Sequence, residues 1–184
     1  INEALWSPDG RWLVLRTGGL AGQSGGRDII GIRPGVDSAP VPLAAKPGVD
    51  ESAAALSPDG NWLAYVSNET GRDEIYVRPF PATDRGKWQV SASGGRSPLW
   101  AHSGRELFFV DAERNMVVAP VEPVAALQLG PRRTLFTLAD DLFYPNLASV
   151  YTPFDLTPDD QHFIMARWER GSAREAPRFL MIEN

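Results

Sequence analysis

Two kinds of short hydrophobic segment recur along this chain. Segments 62–66 and 106–110 are nearly continuous in apolar residues, whereas segment 87–91 alternates polar and apolar residues. Continuous runs of this length are typical of strands that are buried on both faces, and alternating runs are typical of half-exposed strands. The pattern therefore predicts sheets with buried inner strands and half-exposed outer strands.

A turn signal precedes four of these hydrophobic segments. Proline presets φ for the second position of a type I turn, and glycine at the fourth accepts the left-handed conformation that closes a short hairpin. Each copy should therefore join two antiparallel strands, and the third and fourth copies, which depart from the pattern, should be looser. The copies are Ser7-Pro8-Asp9-Gly10, Ser57-Pro58-Asp59-Gly60, Ala101-His102-Ser103-Gly104 and Thr157-Pro158-Asp159-Asp160.

The spacing of the turns predicts the fold. Successive copies lie 50, 44 and 56 residues apart, and a period near 45 with four short strands per unit is typical of propeller blades. We predict an all-β fold, a β-propeller segment of about four blades, each a four-stranded antiparallel sheet. The blades are expected at residues 1–49, 50–95, 96–147 and 148–184, the last without its outer strand. A β-sandwich could use the same strands but does not require a repeating turn.

Composition narrows the classes of function. The net charge is −5, from 18 basic and 23 acidic residues, and neither sign forms a long run, which argues against a nucleic-acid surface. The chain has no cysteine, which excludes thiolate chemistry, and Pro120, Glu122 and Pro123 interrupt its longest weakly polar stretch, so no membrane segment is predicted. Because the chain begins at Ile1 inside a repeat, it is expected to be a piece of a longer protein. We expect that protein to be membrane-anchored, with this part extracytoplasmic.

Several segments resemble known bacterial propellers. Residues 6–13 and 56–67, which contain the first two turns, resemble TolB-like, WD-repeat-like propellers. Residues 73–81, 86–91, 104–109 and the ending 177–184 resemble propeller regions that follow bacterial serine/threonine kinase domains. The resemblance covers nearly the whole chain and implies a propeller, but it carries over no kinase residue, because the phosphotransfer motifs do not occur in this sequence.

Three patterns could carry chemistry, and each has a simpler explanation. Residues 22–26 match the G-x-S-x-G nucleophile elbow, but they lie in a glycine-rich loop between strands rather than between a strand and a helix. His102 and His162 are the only histidines and fall at turns, too few for a typical zinc site. Adjacent acidic pairs such as Asp140 and Asp141 are more often solvated than catalytic. No catalytic residue, cofactor or metal is predicted.

Aromatic residues divide between core and surface. The side chains of Trp6, Trp62, Trp100 and Phe154 recur within or beside the first two strands of each blade and are expected in the core. Trp168 opens a long polar loop, where an exposed tryptophan would mark a contact surface.

Propeller topology separates two sets of loops. The turns between first and second strands share one face, which we call the turn face. The loops between second and third strands and the connections from one blade to the next share the other, the channel face, around the channel entrance. By analogy with other propellers, ligands and partners are expected on the channel face. The candidate residues are Arg27, Asp50, Glu51, Ser52, Asn68, Arg72, Arg96, Ser97, Arg114, Tyr144, Asn146, Ser149, Tyr151 and Trp168.

These observations favour a non-catalytic interaction or ligand-sensing module, the C-terminal part of a larger bacterial signalling protein. Its partner would be a protein or a small ligand at the channel face, and its terminal blade faces are expected to self-associate. The alternative is a propeller that gates a peptidase or other hydrolase whose catalytic domain lies outside this chain. A third possibility is that the blades only stabilise an assembly through their faces.

Overall fold

A computed structural model describes residues 3–18, 26–122, 127–142, 144 and 151–167, and the backbone alone of 178–183. The first sheet contains β1 (Glu3–Trp6), β2 (Leu13–Arg16), β3 (Ile29–Ile32) and β4 (Val41–Ala44). The second contains β5 (Glu51–Leu56), β6 (Trp62–Ser67), β7 (Glu74–Pro79) and β8 (Trp88–Gln89), with a short 3₁₀ turn at Thr83–Arg85.

The third sheet contains β9 (Arg96–Trp100), β10 (Glu106–Val110), β11 (Asn115–Glu122), β12 (Gln128–Leu129) and β13 (Arg133–Thr137). The fourth contains β14 (Phe154–Leu156), β15 (His162–Arg167) and β16 (Arg178–Glu183). In the first, second and fourth sheets each strand pairs antiparallel with the next along the chain.

The outer edge of the third sheet differs from the prediction of one outer strand. Both β12 and β13 pair with β11, through Val121 opposite Leu129 and Met116 opposite Phe136. The outer strand is therefore split into two pieces, because the eight-residue β11 is long enough to offer two separate pairing sites.

The four sheets pack face to face in chain order. One apolar cluster, which includes Leu63 and Tyr65, joins the first sheet to the second. A second cluster around Val66, Ile75 and Phe109 joins the second sheet to the third. A third, around Phe108 and Phe163, joins the third to the fourth, with those two rings edge to face at 5.0 Å. Serial packing of twisted meander sheets is the arrangement of propeller blades, which confirms the predicted fold.

The repeated turns share one hydrogen-bond pattern. In blade 2 the amide of Gly60 donates to the Ser57 carbonyl at 2.9 Å, and the Ser57 hydroxyl accepts from the amide of Trp62 at 3.0 Å. The amide of Gly104 and that of Asp160 donate in the same way, both at 2.9 Å. The expectation that the third and fourth turns are looser was therefore wrong.

Asp160 explains why the degenerate turns stay tight. Its φ of 59° lies in the left-handed region where glycine stands in the other copies, a conformation that aspartate tolerates better than most residues. Its carboxylate accepts hydrogen bonds from the amides of His102, at 2.8 Å, and Ser103, at 2.9 Å. The backbone of Asp160 thus closes the turn of blade 4, and its side chain caps the turn of blade 3.

The core prediction was confirmed for three of the four aromatic residues. Trp100 and Phe154 are buried, and the half-buried Trp62 packs against the core between blades 2 and 3. The prediction that Trp6 lies in the core was wrong, since it is 55% exposed. Leu5 packs towards blade 2, and alternation along β1 turns Trp6 to the opposite side. That side of blade 1 has no described blade against it.

Candidate functional site

The loops of the channel face enclose a charged cavity of about 300 Å³ at the seam between blades 2 and 3. Three arginines, two aspartates, a tyrosine and the backbone of two glycines form most of its wall. They come from the β6–β7 and β10–β11 loops, the β8–β9 connection and the segment before β14. The lining residues are Arg72, Asp73, Gly94, Gly95, Arg96, Asp111, Ala112, Arg114 and Tyr144.

The side chain of Arg72 is positioned by a buried carboxylate. Its Nε donates to Oε1 of Glu74 at 2.5 Å, and its Nη2 donates to the carbonyl of Ala92 at 2.7 Å. Glu74 is fully buried, and it also accepts hydrogen bonds from the hydroxyl of Ser91 and the amide of Gly94. A buried carboxylate requires such partners, so this cluster ties the β6–β7 loop to the β8–β9 connection. The Arg72 side chain is still 59% exposed at the cavity.

Arg96 stands at the first residue of β9 and faces the same cavity. Its Nε forms a salt bridge with Oδ2 of Asp73 at 2.9 Å, and 48% of its side chain remains exposed. The amide of Gly95 donates to the carbonyl of Asp73 at 2.9 Å. Backbone and side-chain bonds thus hold the two loops together and leave part of the guanidinium facing the cavity.

Ser97 and Tyr144 form a hydrogen-bonded pair at the cavity, and Tyr144 is part of the cavity wall. Ser97 is fully buried at an irregularity in the β9–β10 pairing, with a left-handed φ of 56°. Its hydroxyl lies 3.1 Å from the hydroxyl of Tyr144 and donates to the carbonyl of Tyr151 at 3.3 Å. Burial raises the pKa of Tyr144, and the Ser97 hydroxyl and the charges of Arg96 and Arg114 act in the opposite direction.

Arg114 closes the tight turn between β10 and β11. Its amide donates to the Asp111 carbonyl at 3.2 Å, and its φ of 64° is left-handed. Asp111 stabilises the turn, because its Oδ1 accepts from the amides of Glu113 and Asn115 at 2.9 and 2.8 Å. Nη2 of Arg114 donates to the carbonyl of Ala139 at 3.2 Å, while its Nε is buried without a hydrogen-bond partner.

The acidic candidates Asp50 and Glu51 are buried in a polar cluster at the contact between blades 1 and 2. Nη2 of Arg27 donates to Oδ2 of Asp50 at 2.9 Å, with side-chain exposures of 11% and 6%. The amide of Asp50 donates to Oδ1 of Asn68 at 2.9 Å. Glu51 and Ser52 are buried as well. These side chains hold the seam closed, and their burial does not fit direct contact with a partner.

Two carboxyl groups in this region have shifted pKa values. Burial raises the pKa of Glu51 to about 7, opposed by a hydrogen bond from the amide of Lys46. Burial likewise raises the pKa of Glu3 to about 7, with Arg16 opposing it from 3.4 Å. Both groups lie near blade-to-blade contacts rather than at the charged cavity.

The candidates from the sequence thus separate into three groups. Arg72, Arg96, Arg114 and Tyr144 meet at the cavity, with Tyr151 exposed nearby. Arg27, Asp50, Glu51, Ser52, Asn68 and Ser97 form inter-blade contacts. Asn146, Ser149 and Trp168, and the G-x-S-x-G match at 22–26 apart from Gly26, lie outside the described residues.

Sequence reasoning missed five residues of the cavity wall, one of which is Ala112. Asp73 and Asp111 adjoin the buried strands β7 and β10, and Gly94 and Gly95 form a pair just before β9. Two signals were available in the sequence. One is a charged residue next to a continuous apolar strand, and the other is a glycine pair in a blade-to-blade connection. In the part of the chain that the structure describes, there is no group of three or more acidic or histidine side chains that could hold a metal ion.

Fold and site together define a β-propeller segment with a charged cavity on its channel face. Neither a protein-family model nor a curated protein matches this chain. Solved structures do match its fold. TolB from Acinetobacter baumannii superposes with a TM-score of 0.63 at 14% identity, over 98% of this chain and 40% of TolB.

Two enzymes share the same fold. Oligogalacturonate lyase from Vibrio parahaemolyticus superposes with a TM-score of 0.66 at 16% identity, over 98% of this chain and 48% of the lyase. A puromycin-hydrolyzing peptidase from Mycobacterium tuberculosis superposes with a TM-score of 0.60 at 13% identity, over 98% of this chain and 26% of the peptidase. The fold is therefore that of TolB-like propellers, and this chain spans less than half the length of each of these three proteins.

Within the described ranges, no helix is long and apolar enough to cross a membrane.

Proposed function

We propose that this chain is a non-catalytic binding module of a larger bacterial protein and that its ligand or partner contacts the channel face. The observation that supports this proposal is the convergence of Arg72, Arg96 and Arg114 on one cavity from three separate segments. Concave sites with a few convergent polar groups are typical binding sites, and loops on a rigid scaffold commonly carry them. The buried strands beneath these loops provide such a scaffold.

A sensing role in a signalling protein is the specific form of this proposal. It is supported by the resemblance of segments 73–81 and 104–109 to propellers that follow bacterial kinase domains. A kinase domain encoded upstream of this segment, followed by a membrane span, would support it. Sequencing the flanking coding region is the direct test, and a parent without any signalling domain would contradict it.

A second candidate is an accessory propeller of a hydrolase. It is supported by the superposition of this chain on a peptidase over 98% of the chain. In that case the channel face would line or gate an active site on another domain. An α/β-hydrolase domain in the same reading frame would favour this candidate over sensing.

Nuclear magnetic resonance can locate the binding face directly in a 20.1 kDa chain. The uniformly ¹⁵N-labelled protein would be titrated with mixtures of metabolites and short peptides. We expect amide shifts to concentrate at Gly94, Gly95 and Ala112 on the channel face. Shifts concentrated at Gly10, Gly60 and Gly104 on the turn face would contradict the proposal.

A matched pair of variants controls that experiment. Arg96→Gln removes an exposed charge from the cavity, whereas Arg105→Gln removes one from the turn face. Ligands found in the screen should bind Arg96→Gln more weakly and Arg105→Gln as the unmodified chain does. The reverse pattern would place the binding site on the turn face.

We also propose that the free side of blade 1 associates with a second copy of the chain. Trp6 is exposed there, and by strand alternation Leu13, Ile30 and Ile32 share its side and are half-buried. Multi-angle light scattering should show a concentration-dependent increase in mass that Trp6→Glu abolishes and Arg11→Glu does not. A strict monomer at every concentration would contradict this proposal.

A further inference from the structure

Arg114 occupies a turn position that belongs to glycine in the equivalent loop of blade 2. The β6–β7 loop has the same kind of turn, in which the amide of Gly71 donates to the carbonyl of Asn68 at 2.8 Å with a φ of 90°. In the β10–β11 loop the equivalent bond joins Arg114 to Asp111, with a φ of 64° at Arg114. Left-handed backbone is unfavourable for a residue with a side chain. Blade 3 therefore accepts strain that blade 2 avoids.

The side chain placed by this strained backbone has an unsatisfied donor. Nε of Arg114 is buried and has no hydrogen-bond partner, although Nη2 reaches the carbonyl of Ala139. Native proteins satisfy nearly all buried polar groups. The other unsatisfied atoms of the described residues belong to residues outside the cavity wall, namely Glu3, Arg16, Arg27, Glu51 and Tyr76. Strained backbone positions cluster at ligand sites and other functional sites. Both features occur here in one residue of the cavity wall.

The charges around Arg114 indicate which kind of ligand would fit. Three arginines and two aspartates line the cavity, and the buried Glu74 beside it pairs with Arg72, so these six groups balance in charge. Asp73 already binds Nε of Arg96, and Asp111 stabilises the turn that contains Arg114. Arg72 and Arg96 each have a carboxylate partner, whereas no carboxylate of the described residues lies at salt-bridge distance from Arg114. A single negative charge would pair with Arg114, and a phosphate dianion would meet two carboxylates in the same wall. The planar guanidinium group also matches a carboxylate with two parallel hydrogen bonds.

We propose that this cavity binds the carboxylate group of a small organic acid or of a peptide C terminus, with Arg114 as the principal ligand-binding residue. The proposal rests on the function proposed above and specifies its chemistry. The volume of about 300 Å³ is at the lower end for small-molecule sites. The cavity therefore has room for a small acid or for the last residues of a peptide.

Calorimetry with four probes would test the proposal. The probes are succinate, a short peptide with a free C terminus, the same peptide with an amidated C terminus, and inorganic phosphate. We expect succinate or the free-acid peptide to bind, the amidated peptide not to bind, and phosphate to bind more weakly than the carboxylate. Binding of succinate alone would identify small acids as the source of the carboxylate, and binding of the free-acid peptide alone would identify a peptide terminus.

Arg114→Gly is the decisive variant, because glycine suits the left-handed backbone. Carboxylate binding should weaken about tenfold or more, the effect of losing one charge-assisted contact. The thermal midpoint should stay the same or rise. Arg96→Gln provides a second cavity variant that leaves this turn intact and should also weaken binding. Arg105→Gly on the turn face is the control and should leave binding unchanged.

Three results would overturn the proposal. They are the absence of carboxylate binding at millimolar concentration, equal binding by Arg114→Gly, and tighter binding of phosphate than of any carboxylate. These results differ from failure of the broader proposal. If other ligands still shift the amides of Gly94 and Gly95, the channel face remains the binding face and only the carboxylate chemistry is wrong.

Discussion

The seam between blades 1 and 2 differs from the seam between blades 2 and 3, because equivalent arginines act differently in them. Arg27 and Arg72 each lie two residues before the third strand of their blade. Arg27 reaches across its seam to Asp50 of the next blade, and both side chains are buried. Arg72 instead binds Glu74 of its own blade and remains largely exposed. One seam is therefore closed by its ion pair, and the other stays open.

The difference originates in the connection that enters the following blade. Asp50 and Glu51 stand seven and six residues before the turn serine of blade 2, and Gly94 and Gly95 take the same places before Ala101 of blade 3. Without a carboxylate there, Arg72 has no partner across the seam. A Cβ atom on Gly95 would lie 2.7 Å from the side chain of Ile75. The glycine pair thus brings the backbones close together and leaves the guanidinium groups facing a cavity.

The largest expected effect is the loss of the closed seam. Asp50→Ala would leave the Arg27 guanidinium buried without its carboxylate, and breaking a buried ion pair in this way costs about 3 kcal/mol or more. Urea unfolding followed by tryptophan fluorescence would measure the free energy of unfolding. Asp73→Ala is the matched change at the open seam, where the partner Arg96 is exposed, and it should cost less than about 1 kcal/mol. Equal losses would show that the seams do not differ as described.

A pH titration should test the closed seam between blades 1 and 2, where Glu51 is buried. The pKa of Glu51 is raised from 4.5 to about 7 in the folded chain, so the folded state binds more protons than the unfolded state between these values. The free energy of unfolding should therefore fall as the pH rises from about 4.5 to about 7. Part of this decline should persist without Glu51, because the pKa of Glu3 is raised in the same direction.

The change Glu51→Gln replaces the titrating carboxyl group with a neutral amide. It should reduce the decline by about 1 kcal/mol, a value discounted for partial solvent screening. Thermal midpoints at closely spaced pH values would reveal the reduction. The exposed Val36→Ala removes no titrating group and is the control, which should leave the pH profile unchanged. An identical profile for Glu51→Gln would mean that this carboxyl does not titrate in the window.

The smallest expected effect concerns the two equivalent loop turns. Gly71→Ala should destabilise the chain by about 1 kcal/mol, because a side chain is unfavourable at a left-handed residue. Arg114→Gly should leave stability unchanged or raise it by up to about 1 kcal/mol for the same reason. Denaturant midpoints of both variants against the unmodified chain would measure these shifts. A marked loss for Arg114→Gly would show that its side chain stabilises the fold, not that it is held in place for a ligand.

The sequence predicted which loops lie on the channel face. It did not predict which side chains of those loops are buried between blades and which face the cavity. Topology alone indicated that Arg72, Arg96 and Arg114 share a face, because each follows a second strand or enters a first strand of a blade. The same rule also selected Asp50, Glu51 and Ser97, which are buried. Whether a loop residue faces solvent or a neighbouring blade depends on side-chain packing across the seam. That information is not contained in the spacing of turns.

The sequence by itself determined the blades. Four turn signals at regular spacing specify where each first strand ends and each second strand begins, because turn chemistry and apolar runs are local properties of the chain. Tertiary structure alone decided which seam closes and which one opens. It placed the carboxylate of Asp160 on the turn of blade 3, buried Asp50 against Arg27, and brought Arg114 to the same cavity as Arg72. These outcomes depend on residues brought together from different blades, so no local pattern could predict them.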